Sequence, residues 1–211
     1  MVFELFRRSE SQVESIEDEI AAMLSTAVET YQLATDALTR RVEPGSVGPK
    51  LRKRDKRINK VERAIRRQLV VHAGVRGNEA DVPLLLVYMS IAKDTWDLAA
   101  AGADMSSGSD LEMVDRVRTE VTQLIGESAR VFGERDVETA ISVLKDADDT
   151  VDQYEHRMLA QYTAAEGAAA RALFYRYAQR ITAHLMNVLT AVVMPFERLD
   201  YWDEDKIDRE L

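Results

Sequence analysis

Apolar positions along this chain fall three and four residues apart, the spacing of one face of an α-helix. From Ser9 to about Arg41 they run Val13, Ile16, Ile20, Met23, Ala27, Tyr31, Ala34 and Leu38, uninterrupted by glycine or proline. That predicts one long amphipathic helix. Val42 to Pro49 carries two prolines and two glycines and reads as a turn. A second helix is expected from Leu51 to near His72, where Gly74 and Gly77 break it. A third begins at Asp81, a good N-cap, with Pro83 tolerated in its first turn, and runs through Leu84, Tyr88, Ile91, Thr95 and Leu98 toward Met105.

The pattern then repeats. After the SSGS segment 106–109, a helix from about Asp110 to Phe132 is expected on Leu111, Val114, Val117, Val121 and Leu124, broken at Gly133. Another spans Asp136 to Tyr162. After Gly167 a sixth uses Leu173, Tyr177, Ile181, His184 or Leu185, Val188 and Val192, and stops at Pro195. The repeat is sharpest in the second helix of each copy. Leu51, Asp55, Ile58, Glu62, Ile65 and Leu69 step by four, three, four, three, four, and Leu144, Asp148, Val151, Glu155, Met158 and Tyr162 do the same. Both stripes place Asp and Glu in the same two slots of an otherwise apolar face.

No segment shows strand-like alternation between hairpin turns. The expected fold is all-α, two tandem antiparallel three-helix bundles related by an internal repeat. Residues 1–105 form the first, 106–109 a linker, 110–195 the second and 196–211 a charged C-terminal tail.

Composition adds limits. The chain has 211 residues with 46% hydrophobic and 31% charged content, enough to bury a core. It has no cysteine, which removes disulfides, thiolate metal sites and cysteine nucleophiles together. No apolar run approaches the roughly 20 residues that span a bilayer, so no membrane insertion is expected. The start, MVFELFRRSES, does not resemble a signal peptide, and a cytoplasmic location is expected. A net charge of −9 argues against nucleic-acid binding, yet Lys50, Arg52, Lys53, Arg54, Lys56 and Arg57 crowd together. Lys50, Arg52, Lys53 and Arg54 are candidate contacts for an acidic partner, an anionic membrane surface or a phosphate group, although most such runs are simply a solvated helix face.

Candidate chemistry is sparse. Asp55, Glu62, Asp148 and Glu155 could ligate a metal between facing helices, with His184 as a further ligand, or could be structural acids paired with arginine. A ferritin-like di-iron site needs Glu-x-x-His, and the residues three before His72, His156 and His184 are Leu69, Gln153 and Ile181. There is no phosphate-binding glycine loop, no G-x-S-x-G and no H-E-x-x-H. No catalytic residue is expected, and the chain does not read as an enzyme.

With these residues in place, the chain resembles the PhoU family of phosphate-uptake regulators. The family carries a D-x-x-I-N-x-x-E signature in the second helix of each repeat, matched by Asp55, Ile58, Asn59 and Glu62 and more loosely by Asp148, Val151, Asp152 and Glu155. Asp81 to Asp94 falls where the family starts its third helix, and RYAQRITAHLMNVLTAVVMPFERLDY resembles its closing helix. The resemblance implies a helical regulator that contacts a phosphate transporter component or a sensor histidine kinase. It also admits an accessory protein of a sodium- or cation-linked phosphate symporter, and a homodimer.

Many family members hold a metal cluster through E-R-I-G-D on the third helix of each repeat. The counterparts here are Trp96, Asp97, Leu98, Ala99 and Ala100, and Gln179, Arg180, Ile181, Thr182 and Ala183, with the acids replaced. Leu51 and Leu144 stand where a further acid would precede Asp55 and Asp148. The expectation is therefore a scaffold with no required cofactor, holding at most a weak divalent metal. The competing expectation is a carboxylate metal-binding helical protein.

Overall fold

The computed structural model describes residues 22, 24–43, 45–54, 56–57, 60, 63, 105–106, 108–163 and 167–193. Among the described residues all regular structure is helical. Helix α1 covers 24–38 and α2 covers 45–54, with helical residues also at 56, 57, 60 and 63. Helix α3 is Gly108–Glu134, α4 is Val137–Ala160 and α5 is Ala168–Val193, with a 3₁₀ turn at Gln161–Thr163 between the last two.

Three boundaries differ from the sequence reading. The turn expected over 42–49 closes sooner, because α2 already begins at residue 45. Pro49 falls early in that helix, where its missing N–H removes at most one ladder bond. In return, Val47 and Leu51, one turn apart, both bury against Ala37 of α1. Likewise, Gly108 and Ser109 of the expected linker belong to α3, and that helix runs through Gly133 to Glu134. Its true end is Arg135, which adopts φ 54° and whose guanidinium lies 5.6 Å from the Phe132 ring centre. Arg40 ends α1 in the same left-handed way, with φ 56°.

Side-chain pairs fix the helix directions. Arg118 pairs with Asp36 at 2.8 Å and Arg41 with Asp115 at 2.6 Å, so α3 runs antiparallel to α1. The Met105 N–H donates to the Leu38 carbonyl at 2.9 Å and pins the chain where it enters this layer. Helix α2 returns along α1, with Arg54 meeting Glu29 at 3.1 Å. Among the last three helices, α4 and α5 make the most extensive contact, and α5 also packs on α3. Near the start of α5, Arg171 Nε donates to Gln161 Oε1 at 2.8 Å and its Nη1 meets Asp110 at 3.3 Å, which ties three helix ends together.

One core joins both halves of the chain. Leu24, Ala27, Tyr31 and Leu38 of α1 pack with Val117, Val121 and Ile125 of α3, Tyr154 of α4 and Phe174, Ile181 and Leu185 of α5. A second cluster, including Val131, Ala140, Leu144, Met186 and Leu189, closes the opposite end of the last three helices. From Tyr177 to Thr190 helix α5 exposes no residue. Even its threonines Thr182 and Thr190 are buried, their hydroxyls donating to the carbonyls of Ala178 and Met186 one turn back.

Helix α4 starts from a side-chain cap. Asp136 accepts from the Thr139 backbone N–H at 3.1 Å and from the Thr139 hydroxyl at 2.6 Å. These two bonds, the hydroxyl's first, hold its carboxyl below the usual carboxylate range. A lowered folded value means the cap contributes fully above the unfolded carboxylate pKa, about 3.9, and is lost as pH falls through the folded value. The D136A variant should therefore melt below wild type at pH 7. The gap should shrink as pH falls below about 4, when melting is followed by circular dichroism.

Candidate functional site

The basic stretch is presented on one side of α2. At about 100° per residue, Val47 and Leu51 define its inward face. Lys53, Lys56 and Lys60 point the other way, Lys50, Arg52 and Arg57 lie on the flanks, and all six are exposed. Arg54 is not part of this face. It is half-buried and spends its charge on Glu29. Of the four cations expected to meet a partner, Lys50, Arg52 and Lys53 are thus presented to solvent, and Arg54 is a structural link between α2 and α1.

The acids of the repeated stripe divide differently. Asp55, Asn59 and Glu62, and also Asp81 and Asp94, lie outside the described residues. In the second copy the inward face of α4 is Ala140, Val143, Leu144, Ala147 and Tyr154, rotated from the expected stripe by about one position. Asp148 is consequently half-buried at the flank of that face, and Glu155 and Asp152 are exposed. Tyr162, expected to close the stripe, is 83% exposed. The physical reason is contact distance: Ala140 and Ala147 let α4 approach its neighbours closely, whereas a face containing Asp148 and Glu155 would bury two carboxylates.

Glu155 accepts from the Gln179 side-chain amide at 3.5 Å, and the Gln179 carbonyl oxygen accepts from Arg176 at 2.7 Å. Gln179 is buried and occupies the first slot where the family resemblance would place an acid. His184, half-buried on α5, belongs to the same helix. Among the described residues no three histidine, aspartate or glutamate side chains gather closely enough to hold a metal ion.

A groove of about 290 Å³ runs between α3 and α4, with Thr182 of α5 in its wall. Glu120, Glu127 and Asp146 line it together with Thr139, Ser142 and Tyr154. At its inner end the Tyr154 hydroxyl donates to Glu120 at 2.7 Å. Burial and then this bond raise the Tyr154 hydroxyl far above the ordinary tyrosine value. Tyr31 of α1 is raised as well, by burial and then by the Glu120 charge. Tyr31, Tyr154 and Glu120 thus form a junction of α1, α3 and α4 held by burial and one hydrogen bond.

Sequence reasoning missed this junction. Tyr154 sits on the stripe adjacent to the expected one, and a glutamate in α3 gives no periodic signal of its own. Among the described residues no helix is long and apolar enough to cross a membrane.

No family model matches the sequence, and no curated protein matches it. Among solved structures, the crystal structure of PhoU from Pseudomonas aeruginosa aligns with a TM-score of 0.67 at 19% sequence identity, covering 91% of this chain and 98% of that one. The chain is an all-α protein with the fold of PhoU.

Proposed function

We propose that this chain is a non-catalytic, cytoplasmic regulator of phosphate transport or signalling that works by docking on another protein. The reading combines the PhoU-like fold with one observation, the solvent-facing cationic side of α2. The partner that fits is an acidic surface on a phosphate transporter's ATP-binding subunit or on a sensor histidine kinase. Charge complementarity of this kind steers encounter and fixes register more than it adds raw affinity.

The test is capture of each purified candidate partner by the immobilised chain. The variant K53E/K56E/K60E reverses the exposed face and leaves the Arg54–Glu29 pair in place. Capture should fall by about a hundredfold or more, and wild-type capture should weaken steeply between low and physiological salt. Capture of either partner that is indifferent to both salt and charge reversal would show that α2 is not the docking face.

A further inference from the structure

The groove between α3 and α4 plays no part in docking through α2. Its charge is one-sided: Glu120, Glu127 and Asp146 line it, and among the described residues no lysine or arginine does. Arg130, one turn beyond Glu127, is held by Glu134 and Asp136. Between the carboxylates the wall is apolar, built from Val121, Leu124, Val143 and Ala147.

The acids are spread along the groove. Glu120 and Glu127 stand two helical turns apart, about 10.5 Å along α3. Helices α3 and α4 run antiparallel through a short connection, and Tyr154 meets Glu120. Asp146, just over two turns before Tyr154, therefore comes level with Glu127. One negative end of the groove is the half-buried Glu120, and the other is Glu127 with Asp146, both exposed. A single metal ion cannot use acids so far apart, and they do not gather as a metal site. A chain with an ammonium at each end can.

The inner end carries a second, independent sign of a ligand. Tyr31 of α1 is fully buried, and its hydroxyl has no hydrogen-bond partner among the described residues. It packs in one cluster with Val121 and Tyr154, which line the groove, and lies within the field of the Glu120 charge. Tyr154 already donates its proton to Glu120. What this end lacks is a donor that serves the Glu120 carboxylate and the Tyr31 oxygen together, and an alkylammonium, with three N–H groups, is such a donor. We propose that the α3–α4 groove binds a linear aliphatic polyamine, with one terminal ammonium at Glu120 beside Tyr31 and the other between Glu127 and Asp146. Its alkyl chain lies along Val121, Leu124 and Val143. The terminal nitrogens of extended spermidine are about 11 Å apart, which matches the two ends. A lysine side chain from a partner brings one ammonium and fills only one of them.

Calorimetric titration of the full chain with spermidine, putrescine and diaminooctane tests this at low salt, where exposed charges are least screened. Spermidine should bind once per chain and raise the melting temperature by mass action. Diaminooctane, of equal length, should bind within about tenfold of it, and putrescine, which spans about 6 Å, at least about tenfold more weakly. E127Q/D146N should weaken spermidine by about tenfold, whereas E112Q/D149N, which removes two exposed charges outside the groove, should leave its affinity unchanged. Y31F keeps the ring and should weaken spermidine by about threefold to tenfold, a loss that diffuse attraction to an acidic surface does not give. No binding by either readout, equal affinity for the three amines, equal losses in the groove and control variants, or full affinity in Y31F overturns the proposal. N-acetyl-lysine amide binding as tightly as spermidine would assign the groove to a basic residue of a partner protein, and would overturn the polyamine.

Discussion

Replacing Phe174 with alanine should lower the unfolding free energy by about 3–5 kcal/mol, the range for emptying a fully buried aromatic site. Phe174 is 1% exposed and lies in the main core cluster, its ring centre 6.1 Å from that of Tyr175. Tyr175 in turn lies 6.1 Å from Tyr154. The three rings fill the space where α5 meets α4, and rigid helices on each side limit how far the site can collapse after truncation. For a chain of this size, about 2–4 °C is lost per kcal/mol, so melting should fall by about 10 °C. Circular dichroism during thermal melting checks it. A loss of under a degree would mean that this ring cluster does not hold the bundle together.

The second large effect is a contrast between two buried tyrosines. Y154F should cost about 1.5–3 kcal/mol, the range for a hydrogen bond to a charged group, because it leaves the Glu120 carboxylate without its 2.7 Å donor. Y31F should cost nothing and could gain up to about 1 kcal/mol, since the Tyr31 hydroxyl is buried with no hydrogen-bond partner among the described residues. The two rings belong to the same cluster, so packing changes little in either variant. Urea unfolding of both proteins measures the difference directly. Equal losses would mean that the Tyr154–Glu120 bond contributes nothing, and a larger loss in Y31F would reveal a partner for its hydroxyl.

Both predictions concern side chains that the sequence pattern placed unevenly. Tyr31 stood on the expected apolar face of α1, and it is buried there with Ala27, Ala34 and Leu38. Val114, Val117 and Val121 of α3 were equally legible, because one side of that helix faces the core and the other faces water. Phe174 was not on the expected stripe of α5, whereas Leu173, which was, is 39% exposed. Helix α5 touches both α3 and α4 and is buried around much of its circumference. A single-face periodicity cannot describe such a helix. In α4 the expected and actual faces share Leu144, with Val151 and Met158 only partly buried beside it, and otherwise diverge, and the small alanines that carry the contact are weak signals in a hydrophobic pattern.

The function-bearing residues split along the same line. Sequence alone identified the crowded cations at the start of α2. Only the structure separated Lys50, Arg52 and Lys53, which face solvent, from Arg54, which is held by Glu29. The repeated Asp and Glu slots were visible as spacing. Whether an acid at such a slot is buried depends on helix rotation, which is set by the neighbours it packs against.

What the sequence by itself determined was the helical class and the order of the helices among the described residues, because these follow from local periodicity and from where glycine and proline interrupt it; the expected third helix toward Met105 lies outside the described residues. The tertiary structure alone decided which flank of each helix became core, that α1 shares one core with α3, α4 and α5, and that Tyr154 meets Glu120. Those outcomes rest on contacts between residues far apart in the chain, where close packing and the cost of burying an unpaired charge choose among faces that periodicity leaves nearly equivalent.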